Sequence, residues 1–171
     1  MFIDCYAGEV GSIHDACLFR RSDLGRRFGD LQFPQDGHLL GDSAYSLTTK
    51  LLVPYKNNGH LTNIENNFNK QHSKCRVYIE QTFAYLKGRF RRLKLLEAVR
   101  LDLIPLIIIC ACILQNICQG SNDVPPDVNI YAEVEEERVM NPENENIQEQ
   151  GNNPPAIAKR NNIANVLYLR L

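Results

Sequence analysis

The chain is 171 residues long, 44% hydrophobic, and carries 19 Lys+Arg against 20 Asp+Glu, a net charge of −1. That length and apolar content suffice for one ordinary domain with a core plus a tail, which sets aside a multidomain reading. The near-neutral sum conceals a split: residues 1–120 hold 15 basic and 11 acidic side chains, residues 121–171 hold 4 and 9, which predicts a basic nucleic-acid-facing body and an acidic, solvated tail.

In chain order, FIDCY reads as a short strand by alternation, followed by a turn at Gly8 and Gly11. SIHDACLFRRSDLGRRF predicts a helix with Ser12 as N-cap and a break at Gly25 before Phe28. HLLGDSAY predicts a buried strand ending at Gly41-Asp42; Ser46 is a candidate cap for a helical turn through Leu51-Leu52, before LLVPY leads into a loop. KNNGHLTNIENNFNKQ is polar and Asn-rich, so it predicts a surface connection with some helix near its end. From His72 to Leu93, Ile79, Phe83, Leu86, Phe90 and Leu93 recur at helical spacing and predict one buried stripe. Leu103 to Cys118 predicts a second helix, apolar on most sides and hence buried.

Beyond this body, residues 121–157 are acidic and rich in Asn and Pro, which predicts a disordered linker, and residues 158–171 regain the periodicity of a helix that docks back on the domain. The run LIPLIIICACIL is shorter than the about 20 residues a bilayer requires. The start MFIDCYAGEV lacks the basic and apolar regions of a signal peptide, so no membrane association is expected. Six cysteines without a C-x-x-C pair, and four histidines out of register with them, argue against zinc and for a reducing compartment, nucleus or cytoplasm.

Two acids stand out. Asp42 closes a strand and Glu80 lies within a helix, and acids so placed can converge on one divalent cation, as metal-dependent phosphodiester chemistry requires. Each also has an ordinary reading: Asp42 as a turn residue, Glu80 as the i+4 ion-pair partner of Arg76. Lys87, Arg89, Arg91, Arg92 and Lys94 form a basic segment suited to DNA phosphates, or to a solvated helix end. His14-Asp15 is a poor base-and-orienter pair because adjacent helix residues point in different directions, which leaves Asp15 as a turn residue or an auxiliary acid.

The segments GSIHDACLFRRSDL, LLGDSAYSLTTKLLVPY, FNKQHSKCRVYIEQTFAYLKGRFRRL and IIICACILQNIC resemble, in that order, the DDE transposase domain of the PIF/Harbinger superfamily, which includes the Harbinger transposase-derived nucleases of animals. The resemblance covers roughly residues 1–120. It implies an α/β, RNase H-like mixed sheet flanked by helices, in which three acids hold two Mg²⁺ or Mn²⁺ ions against DNA. Asp42 matches the second acid in G-D-S-x-Y, and Glu80 the third in a V-I-E-R-T-F-like motif, with Gln81 replacing the usual Arg. The family's first acid aligns a few residues before Met1, so the opening strand is expected to be missing and the domain to be partial. The expected function is therefore a transposase-derived, metal-dependent DNA endonuclease, inactive or weak as this chain. The alternative is a catalytically dead domain retained for DNA or protein binding, with a separate DNA-binding protein as a further candidate partner.

Overall fold

The computed structural model describes residues 1–9, 13–95, 100–121, 123 and 153–170. Within them the chain is a mixed α/β structure dominated by helices: α1 (Asp15–Arg21), α2 (Asp23–Arg27), β1 (Leu39–Leu40), β2 (Leu51–Leu52), α3 (Asn63–Arg89), α4 (Leu103–Gly120) and α5 (Pro154–Tyr168). The two strands pair in parallel, Leu39 with Leu51 and Leu40 with Leu52, and among the described residues they are the whole sheet. The mixed α/β class stands as expected, but the flanked mixed sheet is here reduced to one pair.

No strand forms over FIDCY. The backbone of Phe2 bonds at both N–H and C=O to the side-chain amide of Asn116 on α4, each at 2.7 Å. An extended segment requires partners for its backbone groups, and here an asparagine supplies them instead of a neighbouring strand.

The helix predicted after the first turn divides at Ser22 rather than at Gly25. The buried Ser22 hydroxyl donates to the Phe19 carbonyl at 2.7 Å and accepts from Gly25 N at 3.0 Å, closing α1 and capping α2. Gly25 is needed for close approach, since a Cβ there would stand 1.8 Å from the Phe19 carbonyl oxygen. The N-cap expected at Ser12 lies outside the described residues. The helical turn that Ser46 was expected to cap does not form: Leu51-Leu52 enter β2, and Thr48 Oγ1 accepts from Leu51 N at 2.9 Å in the turn before the strand.

Helix α3 starts at Asn63, well before the point periodicity marked. A capping box sets this start: Thr62 Oγ1 accepts from Glu65 N at 3.3 Å while the Glu65 carboxylate accepts from Thr62 N at 2.8 Å. The predicted stripe holds only in part. Leu86 is buried, and Phe90 and Leu93 pack around it, but Ile79 is 41% and Phe83 38% exposed. The burial of α3 falls instead near its ends, at Phe68 and His72 and at Ala84 and Leu86.

Among the described residues, two clusters make the core. Leu47, Leu52 and Val53 close on Ala156 of α5; Leu86, Ala111 and Cys112 join α3 to α4, with Phe2 and Cys5 laid against them. Helix α5 is further held by Arg160, whose guanidinium lies 4.0 Å from the Tyr55 ring centre and donates to the Val53 and Pro54 carbonyls, both at 3.3 Å. The burial expected for the apolar helix is not found: α4 runs 18 residues, long and apolar enough to cross a membrane by length and composition, and only 17% of it is buried. The linker expected over 121–157 lies, but for its two ends, outside the described residues.

Candidate active site

Asp42 stands one residue, Gly41, beyond β1, where the strand end and an Asx turn fix its direction. Its Oδ1 accepts from Ala44 N at 2.8 Å, and its Oδ2 stands 3.8 Å from Arg76 Nη2 on α3. Arg76 is thus a partner of Asp42 across the fold, which sequence spacing alone did not indicate. Residues His72, Arg76 and Glu80 follow at intervals of four and share one face of α3, so Glu80 lies one turn, about 6 Å, beyond the arginine on which Asp42 docks.

Asp15, in the first turn of α1, joins this face electrostatically. Partial burial, and then the charge of Asp42, push its carboxyl above the ordinary carboxylate value, with His14 pulling the other way. The Tyr45 phenol is pushed up to about 12, by burial first and then by Asp15 and Asp42. His72 is buried at 5% exposure with Nε2 unpartnered, beside the Phe68 ring. Burial holds its imidazole below the ordinary value, with the Leu52 backbone opposing.

The arrangement is an acidic strand end facing a helix that carries one cation and one further acid. Its carboxylate oxygens are hard donors of the kind Mg²⁺ or Mn²⁺ takes, and Mg²⁺ is commonly held by one or two carboxylates completed by water and phosphate oxygens. Asp15, whose carboxyl is raised by burial and then by the charge of Asp42, and Asp42 itself fit such a partial set. A ready-made cluster of three metal-ligating side chains is absent among the described residues. Tyr45 and His72 were not singled out by sequence reasoning; the available signals were the place of Tyr45 in G-D-S-x-Y and the four-residue spacing that puts His72 on the face of Arg76 and Glu80.

The basic segment divides in the structure. Arg89 is turned inward: its guanidinium bonds Gln115 Oε1 at 3.2 Å and Asp123 Oδ2 at 2.9 Å, tying α3 to the end of α4. Arg91, Arg92 and Lys94 stand exposed on the 3-10 turn that follows α3, and Lys87 is half-buried. The turn lies roughly 16 Å along the helix direction from Glu80.

Comparison with known proteins adds a second line of evidence. The profile of the family described as DDE superfamily endonuclease matches residues 1–116. Curated relatives carry the description "Putative nuclease HARBI1". That of Rattus norvegicus is 37% identical over 83 residues, 47% of this chain and 22% of the relative. That of Mus musculus is 32% identical over 139 residues, 75% of this chain and 39% of the relative. The chain therefore spans well under half the length of these curated relatives. No solved structure matches it.

Proposed function

The chain belongs to the DDE superfamily endonucleases, as a Harbinger-type, transposase-derived nuclease domain, and from this premise we propose that it acts on phosphodiester bonds of DNA, with Asp42 and Glu80 holding a divalent metal ion. One observation carries the reading: Asp42, at the end of β1, faces the side of α3 on which Glu80 lies one turn from its partner Arg76. When bound, the ion would supply Lewis-acid activation of the attacking oxygen and neutralise charge on the phosphate. The chain's own groups do the rest. Asp15 adds negative charge beside Asp42, and Arg91, Arg92 and Lys94 offer a phosphate-holding end to the same helix, with Lys87 one turn before it. An RNase H-like arrangement, two ions in a complete site, a separate DNA-binding partner and a nuclear site of action go with the same reading.

The test is nicking of supercoiled plasmid with Mg²⁺ or Mn²⁺. Glu80→Gln and Asp42→Asn should each lower the rate about a hundredfold or more while DNA binding survives. Nicking that continues unchanged in both variants would remove these acids from the chemistry.

A second reading has its own support. Both oxygens of Asp42 are already engaged, by Ala44 N–H and by Arg76, which suits a domain that binds DNA without cutting it. It predicts binding indifferent to chelation of Mg²⁺ and steeply weakened by salt. Each of Arg91→Ala and Arg92→Ala should reduce the slope of log affinity against log salt by about 0.9. Binding that requires the metal would rule against it.

A further inference from the structure

The opening segment lies along α4 in reverse order, and three contacts fix its register. Gly8 is set against Pro105, close enough that a Cβ there would stand 3.0 Å from the proline Cγ. Phe2 is held at its N–H and C=O by Asn116, and its ring lies 5.6 Å from that of Phe83 on α3. Between these two anchors Cys5 meets Cys112, one turn of α4 before Asn116, and the Cys5 thiol donates to the Cys112 sulfur at 3.7 Å. Both are free thiols; Cys112 is buried and Cys5 half-buried.

We propose that Cys5 and Cys112 are an oxidative modification site, which a low-molecular-weight disulfide converts to an intramolecular disulfide that latches the opening segment to α4. Separation favours this pair. An S–S bond of about 2.05 Å asks the sulfurs to close by about 1.7 Å, and Cys5 lies outside any helix or strand, where the chain can give that much. Access sets the order of events. Burial first, and then the Cys5 thiol, push the Cys112 thiol up to about 12, so the half-buried Cys5 is the one that meets the oxidant. As its thiolate, Cys5 attacks one sulfur of the small disulfide; that S–S bond breaks, a mixed disulfide forms on Cys5 and one small thiolate leaves. Cys112 then gives up its proton to water and attacks the Cys5 sulfur, and the second small thiolate leaves. Two cysteine thiols have lost two electrons and two protons, and the small disulfide has become two thiols. The ring so closed runs from residue 5 to residue 112 and contains α1, α2, both strands and α3.

The experiment is oxidation of the reduced full chain by glutathione disulfide, followed by thiol blocking and non-reducing peptide mapping, with fragmentation that separates Cys5 from Cys17 and Cys112 from Cys110. The expected result is a Cys5–Cys112 link in the monomeric fraction, reversed by dithiothreitol, absent from Cys5→Ser and retained in Cys17→Ser and Cys110→Ser. Thermal unfolding is the second readout: closing so long a ring should raise the melting midpoint by about 5 °C or more. Cys5→Ser alters a half-buried position, so it should keep the circular dichroism of the reduced chain while losing the oxidant-dependent rise. The proposal is overturned if Cys5 stops at the glutathione adduct, if Cys5 or Cys112 links to another cysteine instead, or if the link forms only after unfolding in urea. A Cys5–Cys112 link that leaves the midpoint unchanged overturns the latch.

Discussion

At Asp42, identity was legible and circumstance was not. The G-D-S-x-Y context marked the residue in the sequence, yet only the fold shows it bonded to Ala44 and facing Arg76. His72 shows the reverse. Nothing about a lone histidine in a polar stretch marks it as buried, and its burial comes from α3 lying against the strand pair. The consequence is testable. Because burial lowers the folded-state pKa of His72, the unfolded chain takes up a proton first as pH falls, so stability is present above about 6.5 and is lost as pH drops toward the folded value. The slope from this one site is at most about 1.4 kcal/mol per pH unit. Thermal melts across this range should show the loss in the native chain and a flatter profile in His72→Leu; identical profiles would show that other groups carry it.

Among the elements, α3 and α4 differ in how much the sequence disclosed. Periodicity located the C-terminal part of α3, while its first turns lie in Asn-rich chain that reads as a surface connection with helix only near its end. The capping box at Thr62 and Glu65 is the local reason the helix reaches back so far. Thr62→Ala should therefore cost about 1 kcal/mol, within a range of about 0.5–2, measured by denaturant unfolding. No change would mean that packing at Phe68 sets the start unaided. For α4, apolar content on most sides suggested burial, but composition reports only what a helix could bury and not whether a neighbour is present to cover it. The Ser22 break in α1–α2 follows the same logic, since a serine caps or merely sits in a helix according to where its hydroxyl finds a partner.

On the scale of the whole molecule, α5 is seated by small residues. Ala156 and Ala164 are fully buried, and Ala156 closes on Leu52 and Val53 beside the strand that leads into the Tyr55–Arg160 contact. Enlarging this contact should be costly: Ala156→Leu is expected to destabilise by about 1–3 kcal/mol and to release α5, read as raised protease sensitivity around residue 154. An unchanged melt and cleavage pattern would show that α5 adds little to the fold. The sequence by itself determined the family, the mixed α/β class, the positions of Asp42 and Glu80 and the main helical segments, because motif order and 3.6-residue periodicity are properties of the linear chain. Tertiary structure alone decided that Arg76 faces Asp42, that Arg89 turns inward to α4, that His72 is buried and that α4 is little buried among the described residues. Each of these depends on which distant segment comes to lie beside a residue, and local spacing does not encode that.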